Sequence, residues 1–115
     1  MNISEKEYSR QLRSQMRGGD GDVVLEHIVT GDALPPNVRL MARIILNKGC
    51  SIGCHVHENE TESFYFVSGC GTATDNGVEL KVNKGDSLIT KHGDSHSIRN
   101  DGDEPLVILA TIVLN

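Results

Sequence analysis

The chain has no tryptophan and only two tyrosines and two phenylalanines in 115 residues, so aromatic packing cannot build its core. Ten valines, nine isoleucines and ten leucines must do so, and the β-branched share of that set favours strands. Three prolines and 12 glycines exclude a collagen-like or proline-rich low-complexity chain. The three cysteines, Cys50, Cys54 and Cys70, are odd in number and form no CxxC pair, so unpaired thiols are expected rather than a disulfide framework. Basic residues are scarce as well, 11 against 16 acidic ones for a net charge of −5, and their only grouping is the sparse series Arg10, Arg13, Arg17. Phosphate backbones and anionic membrane surfaces are repelled on average, which argues against both as partners. The longest apolar run, 106–114, is too short to cross a bilayer, and the charged opening MNISEKEYSR lacks the apolar stretch of a signal peptide. The expectation is a single soluble domain that stays in the cytoplasm and buries roughly two-thirds of its unfolded surface.

What is present is a regular succession of short strand patterns. Residues 3–17, ISEKEYSRQLRSQMR, read as a short polar helix with a Ser4/Glu7 capping box, stopped by the glycines at 18–21. Residues 1–21 then form an N-terminal arm and 22–115 the domain. From Asp22 onward, strands are expected at 23–29, 38–46, 51–57, 62–68, 71–74, 78–82, 87–90, 95–100 and 106–113, separated by turn residues. Asn76-Gly77 is the strongest hairpin signal. So many short strands without an intervening helix mean an all-β sandwich, jelly roll or barrel.

The chemistry gathers around four of the five histidines. His55 and His57 are separated by one residue, which in a strand puts both imidazoles on one face. Glu62 follows a short polar loop, so the returning strand can add a carboxylate, and His96 opens a later strand that can supply a third imidazole. Three imidazoles and a carboxylate suit one divalent transition metal, Mn, Fe, Co, Ni or Zn, with coordination positions left open. The alternative is a hydrogen-bonded polar cluster without metal. His92 reads as a turn residue beside Gly93, His27 as structural or surface, and Cys54 as facing away from the metal.

GCSIGCHVHENETESFYFVSG, residues 49–69, and GDSLITKHGDSHSIRN, residues 85–100, resemble the two cupin motifs, fifteen residues apart. The resemblance covers about residues 22–113. It implies a double-stranded β-helix jelly roll with metal ligands at His55, His57, Glu62 and His96. One departure is visible: Lys91 stands where the second motif carries proline, which places an amine near the barrel mouth. Oxalate-decarboxylase-like small cupins are similar, and the likeness implies a homodimer.

Around the ligand set, Phe64 and Phe66 share the parity of Glu62, so they either line the cavity, together with Lys91, or pack the core. Arg43, a charge among apolar neighbours, is a candidate anion clamp, and Glu60 a candidate proton donor. Cys70 is expected to be a buried, inert thiol. Two functions follow. The first is a metal-dependent enzyme acting on a small carboxylate or carbonyl metabolite, decarboxylase-like or dioxygenase-like. The second is a metal and small-ligand binding or sensing module without turnover, with sugar isomerisation or epimerisation as a further option.

Overall fold

A computed structural model describes all residues, 1–115. Ten strands run in chain order: β1 (Ser9–Ser14), β2 (Asp22–Val29), β3 (Val38–Leu46), β4 (Ser51–Val56), β5 (Glu60–Ser68), β6 (Cys70–Asp75), β7 (Val78–Asn83), β8 (Ser87–Thr90), β9 (Ser95–Arg99) and β10 (Leu106–Leu114). They form two antiparallel sheets, ordered β1-β2-β3-β10-β5-β8 and β4-β9-β6-β7, in a jelly roll. The sheets face one another without hydrogen-bonding into a closed barrel. That corrects the barrel expectation: each sheet ends on strands with one free edge, β1 and β8 in one and β4 and β7 in the other. No helix is long and apolar enough to cross a membrane.

Alternation along each strand sends one row of side chains into the space between the sheets. On β10 the inward row is Leu106, Ile108, Ala110 and Ile112, and on β3 it is Ala42, Ile44 and Leu46, all buried. Phe64 and Phe66 from β5, Ile52 from β4, Val82 from β7 and Ile98 from β9 complete the core from both sheets. Burying a large side chain of this kind contributes about 1.5–3 kcal/mol, so this mainly aliphatic set, with Phe64 and Phe66 its two rings, holds the sheets together. The Asn76-Gly77 turn joins β6 to β7 with both residues at positive φ, 49° and 81°, the twist that a two-residue hairpin needs.

The N-terminal segment departs from the expected helix. Helical geometry is limited to one 3₁₀ turn, Glu5–Glu7, where Ser4 makes no side-chain cap, while Met16–Gly18 is a tight turn with Arg17 and Gly18 at positive φ. Between them β1 pairs with β2 from Ser9↔His27 to Ser14↔Asp22. A helix with polar residues all round has no face to bury, whereas the free edge of β2 offers a full row of backbone partners. The turn at 16–18 is then packed directly on β4. A Cβ on Gly53 would stand 2.0 Å from the Arg17 carbonyl oxygen, and one on Gly19 would stand 2.3 Å from that of Ser51. Only glycine permits so close a backbone contact.

Candidate metal centre

A bulge decides which residues of β4 face inward. Ile52 pairs with Ile98 and His55 with His96, so three steps on β4 match two on β9. The extra residue within Gly53-Cys54 reverses the parity, letting Ile52 enter the core and His55 the cavity from one strand. Cys54 is exposed, as expected for a residue that is not a ligand. His57 lies just past the end of β4 and is fixed by its backbone: its N–H donates to Asp94 O at 3.0 Å and its carbonyl accepts from Gly93 N at 2.8 Å. Glu62 enters from β5 and His96 from β9.

These four residues are the group that can hold a metal ion. His57 Nε2 stands 3.0 Å from His96 Nε2, which is 3.2 Å from His55 Nε2. Glu62 Oε1 is 2.9 Å from His57 Nε2 and 3.1 Å from His96 Nε2. Ligand atoms about 2.1 Å from a shared ion and at right angles to each other lie about 3.0 Å apart, which is the spacing of these four pairs, and the whole set lies within 4.8 Å.

The outer nitrogens are all engaged. His55 Nδ1 donates to Gly53 O at 2.8 Å, and His57 Nδ1 donates to Glu60 Oε2 at 2.5 Å. His96 Nδ1 bonds Thr90 Oγ1 at 2.8 Å. Because a carbonyl and a carboxylate only accept, the Nδ1 atoms of His55 and His57 carry protons, and the Nε2 atoms face inward as the donors of the neutral rings. Nitrogen lone pairs and a carboxylate oxygen thus converge on one point, an arrangement that a cation satisfies. Glu60 is itself held by Arg39 through paired contacts, Nε to Oε1 and Nη2 to Oε2, both 2.8 Å.

Electrostatics follow this geometry. Arg39, then the His57 hydrogen bond, hold the Glu60 carboxyl at about 2 against burial. Burial pushes the Glu62 carboxyl up, but the bonds and charges of His57 and His96 outweigh it and leave it below the usual range. The bonds to Glu62 and Glu60 raise His57 despite burial. Burial lowers His55, and the nearby His96, His57 and Arg17 charges add to that.

Above the donors lies a cavity of about 90 Å³, walled by Leu40, Ile44 and Ile112 and carrying Arg13, Arg17 and Arg39. Two larger depressions, about 320 and 310 Å³, lie along the four-stranded sheet, but they do not contain the converging donors. Arg43, expected as the anion clamp, is not at the cavity: it pairs with Glu26 at 2.8 Å and Glu5 at 3.0 Å and lies over the Tyr8 ring. Its parity on β3 is opposite to that of Ala42 and Ile44, so it leaves the sheet on the outer side. Glu60 is near the metal ligands, in a positioning contact with His57. Phe64 and Phe66 belong to the core; Phe64 stacks on His96 with ring centroids 4.9 Å apart, but neither ring lines the cavity. Lys91 is exposed in the β8–β9 turn and does not line it either. His92 accepts from Asn59 N–H at 2.7 Å, a turn role, and Cys70 is exposed rather than buried.

Arg13, Arg17, Arg39 and Thr90 were not anticipated at the site. Arg39 reaches it through a second bulge, since Ile112 pairs with Leu40 and Val113 with Val38, leaving Arg39 as the extra residue. For Arg13 and Arg17 the signal was present: they belong to the only basic series of an acidic chain.

Comparison with known proteins agrees with this architecture. The cupin domain model matches residues 42–112. An oxalate-binding protein of Thermotoga maritima is 40% identical over 114 residues, 99% of this chain and 94% of that protein. An uncharacterised protein of Methanocaldococcus jannaschii is 30% identical over 95 residues, 78% of this chain and 71% of that one. Among solved structures, a predicted oxalate decarboxylase of Thermotoga maritima superposes with a TM-score of 0.94 at 39% identity, each chain covered completely.

Proposed function

Because the chain belongs to the cupin family, we propose that it holds one divalent transition metal through His55, His57, Glu62 and His96 and binds a small carboxylate at the remaining positions. The observation that carries this reading is the convergence of imidazole Nε2 atoms and Glu62 Oε1 at the floor of a small cationic cavity. A volume of about 90 Å³ is roughly three waters' share of liquid, which suits a carboxylate of two or three carbons. The relatives named for oxalate bring the dicarboxylate class to this site. The metal would supply Lewis acidity toward a carboxylate oxygen. The chain's own residues fix the imidazole tautomers, keep one wall apolar and provide positive charge.

Binding is favoured over decarboxylation assisted by Glu60. A carboxyl held at about 2 by Arg39 is ionised at neutral pH, so it positions His57 and has no proton to give. Turnover with O₂ is the second reading, favoured by the aliphatic wall of Leu40, Ile44 and Ile112 facing the open side of the donors. The test is calorimetric titration of metal-loaded protein with oxalate, together with oxygen uptake and product release from the same sample. Saturable binding with neither uptake nor release is expected. Binding unaffected by chelation would overturn the metal-dependent reading, and sustained uptake would replace binding by turnover.

Two further expectations remain as proposals. A homodimer is supported by Tyr65, Val67, Ile89 and Leu109, which are 40–47% exposed on the outward side of the larger sheet; light scattering of the full chain tests it. A cytoplasmic setting is supported by three unpaired thiols.

A further inference from the structure

Six of the chain's cationic side chains have no ion-pair partner: Lys6, Arg10, Arg13, Arg17, Lys84 and Lys91. Of these, only Arg13 and Arg17 open onto the metal cavity. They come from the N-terminal arm, which two independent features hold in place. β1 is paired with β2 along its whole length, and the following turn rests against β4, Arg17 on Gly53 and Gly19 on Ser51. Arg17 occupies that turn at φ 55°, where glycine is the undemanding choice. A long charged side chain kept in a left-handed position is a strain that points to function.

Charge then sets the ligand. With a divalent ion bound, Glu62 and the Arg39–Glu60 pair leave the floor of the site with one net positive charge. A monocarboxylate already neutralises that. Arg13 and Arg17 raise the charge to three, more than a monoanion can answer but well matched to a dianion. We propose that Arg13 and Arg17 form a dianion-selecting rim, through which the arm makes the site prefer a dicarboxylate to a monocarboxylate. This rests on the proposed carboxylate binding at the metal and assigns the preference to residues outside both cupin motifs.

The test uses full-length protein loaded with Co(II), titrated with oxalate and with acetate and followed by calorimetry and the visible cobalt spectrum. Arg17→Gln is expected to weaken oxalate by about tenfold, and Arg13→Gln with Arg17→Gln by about a hundredfold, while acetate shifts by less than about threefold. Cobalt stoichiometry should stay unchanged, and Arg17→Lys should restore most of the loss. Equal losses for the two anions, or no loss for either, would overturn the rim. If His57→Ala retained oxalate affinity, the metal-dependent reading would fall and the rim's charge match with it, whereas oxalate binding that needed the metal but lost nothing in the arginine variants would sink the rim alone. If the unaltered protein bound neither anion, both would fall.

Discussion

The two ends of the space between the sheets are built by the same strands and behave in opposite ways. Along β5 the inward row begins Glu60, Glu62 and continues Phe64, Phe66. On β9 His96 gives way to Ile98, on β8 Thr90 is preceded by Leu88, and on β4 His55 is preceded by Ile52. Each strand changes from polar to apolar within two or three residues, with no change in its hydrogen-bonded partner. One end holds the sheets together by apolar burial and the other aims donors at a point. They meet where Phe64 stacks on His96, so the core also forms the back wall of the site. Placing His55, Glu62 and His96 on strands that are anchored by the core two or three residues away gives them rigidity that a loop could not, and backbone hydrogen bonds to Gly93 and Asp94 fix His57 just beyond β4.

The sharpest way to break that contrast is to damage one end and measure the other. His57→Ala should abolish stoichiometric metal binding, read by elemental analysis of protein purified without chelator, because it removes one donor and leaves Glu60 and Glu62 facing each other. Phe66→Ala, at a fully buried ring, should cost about 3–5 kcal/mol in chemical denaturation, yet leave one metal per folded chain. If Phe66→Ala emptied the metal site in folded protein, the two ends would be a single unit.

A smaller change sharpens the polar end. Glu60→Gln keeps the shape but removes the charge that His57 Nδ1–H meets at 2.5 Å. Loss of such a supporting carboxylate typically weakens metal binding by about 10–100-fold, measurable by competition with a chromogenic chelator. Thermal stability in the metal-free state should change less than in Phe66→Ala. An unchanged metal affinity would show that Glu60 serves Arg39 alone.

The apolar end was legible in the sequence because alternation needs only composition and period. The strands at 38–46 and 87–90 were placed to the residue, and the four metal-ligand candidates followed from the two cupin motifs. Hidden features all depend on breaks in the period. The bulges at Gly53-Cys54 and at Arg39 reverse side-chain direction without any mark in the hydrophobic pattern. Arg43, an odd charge in an apolar strand, therefore looked like the clamp, while Arg39 four residues earlier reached the cavity. The N-terminal segment misled for another reason: its local propensities are helical, and only the free edge of β2, a tertiary feature, makes it a strand.

The last contrast is between proton and metal, and it predicts the smallest effect. In the metal-free protein the Glu62 and Glu60 bonds raise His57 above 6.5, while Glu60 is lowered from 4.5 to about 2 by Arg39 and then His57. A raised histidine contributes stability that is complete below its unfolded value and disappears as pH rises through the raised one. A lowered carboxylate contributes stability that is complete above 4.5 and disappears as pH falls toward about 2. The metal-free site is therefore most stabilising between 4.5 and 6.5, with a proton on His57 occupying the place between His57 Nε2 and Glu62 Oε1, 2.9 Å apart. A metal ion needs that same Nε2 lone pair, so loading must displace the proton. Just below pH 6.5, where a raised His57 still carries its proton, uptake of one metal should release that proton, seen as a dependence of the calorimetric enthalpy on the buffer's ionisation enthalpy. Glu60→Gln should reduce the release, because it removes one of the two carboxylates that hold the proton on His57. Identical enthalpies in all buffers would mean that His57 is already neutral before the metal arrives, and that the polar end is organised by Arg39 and backbone contacts alone.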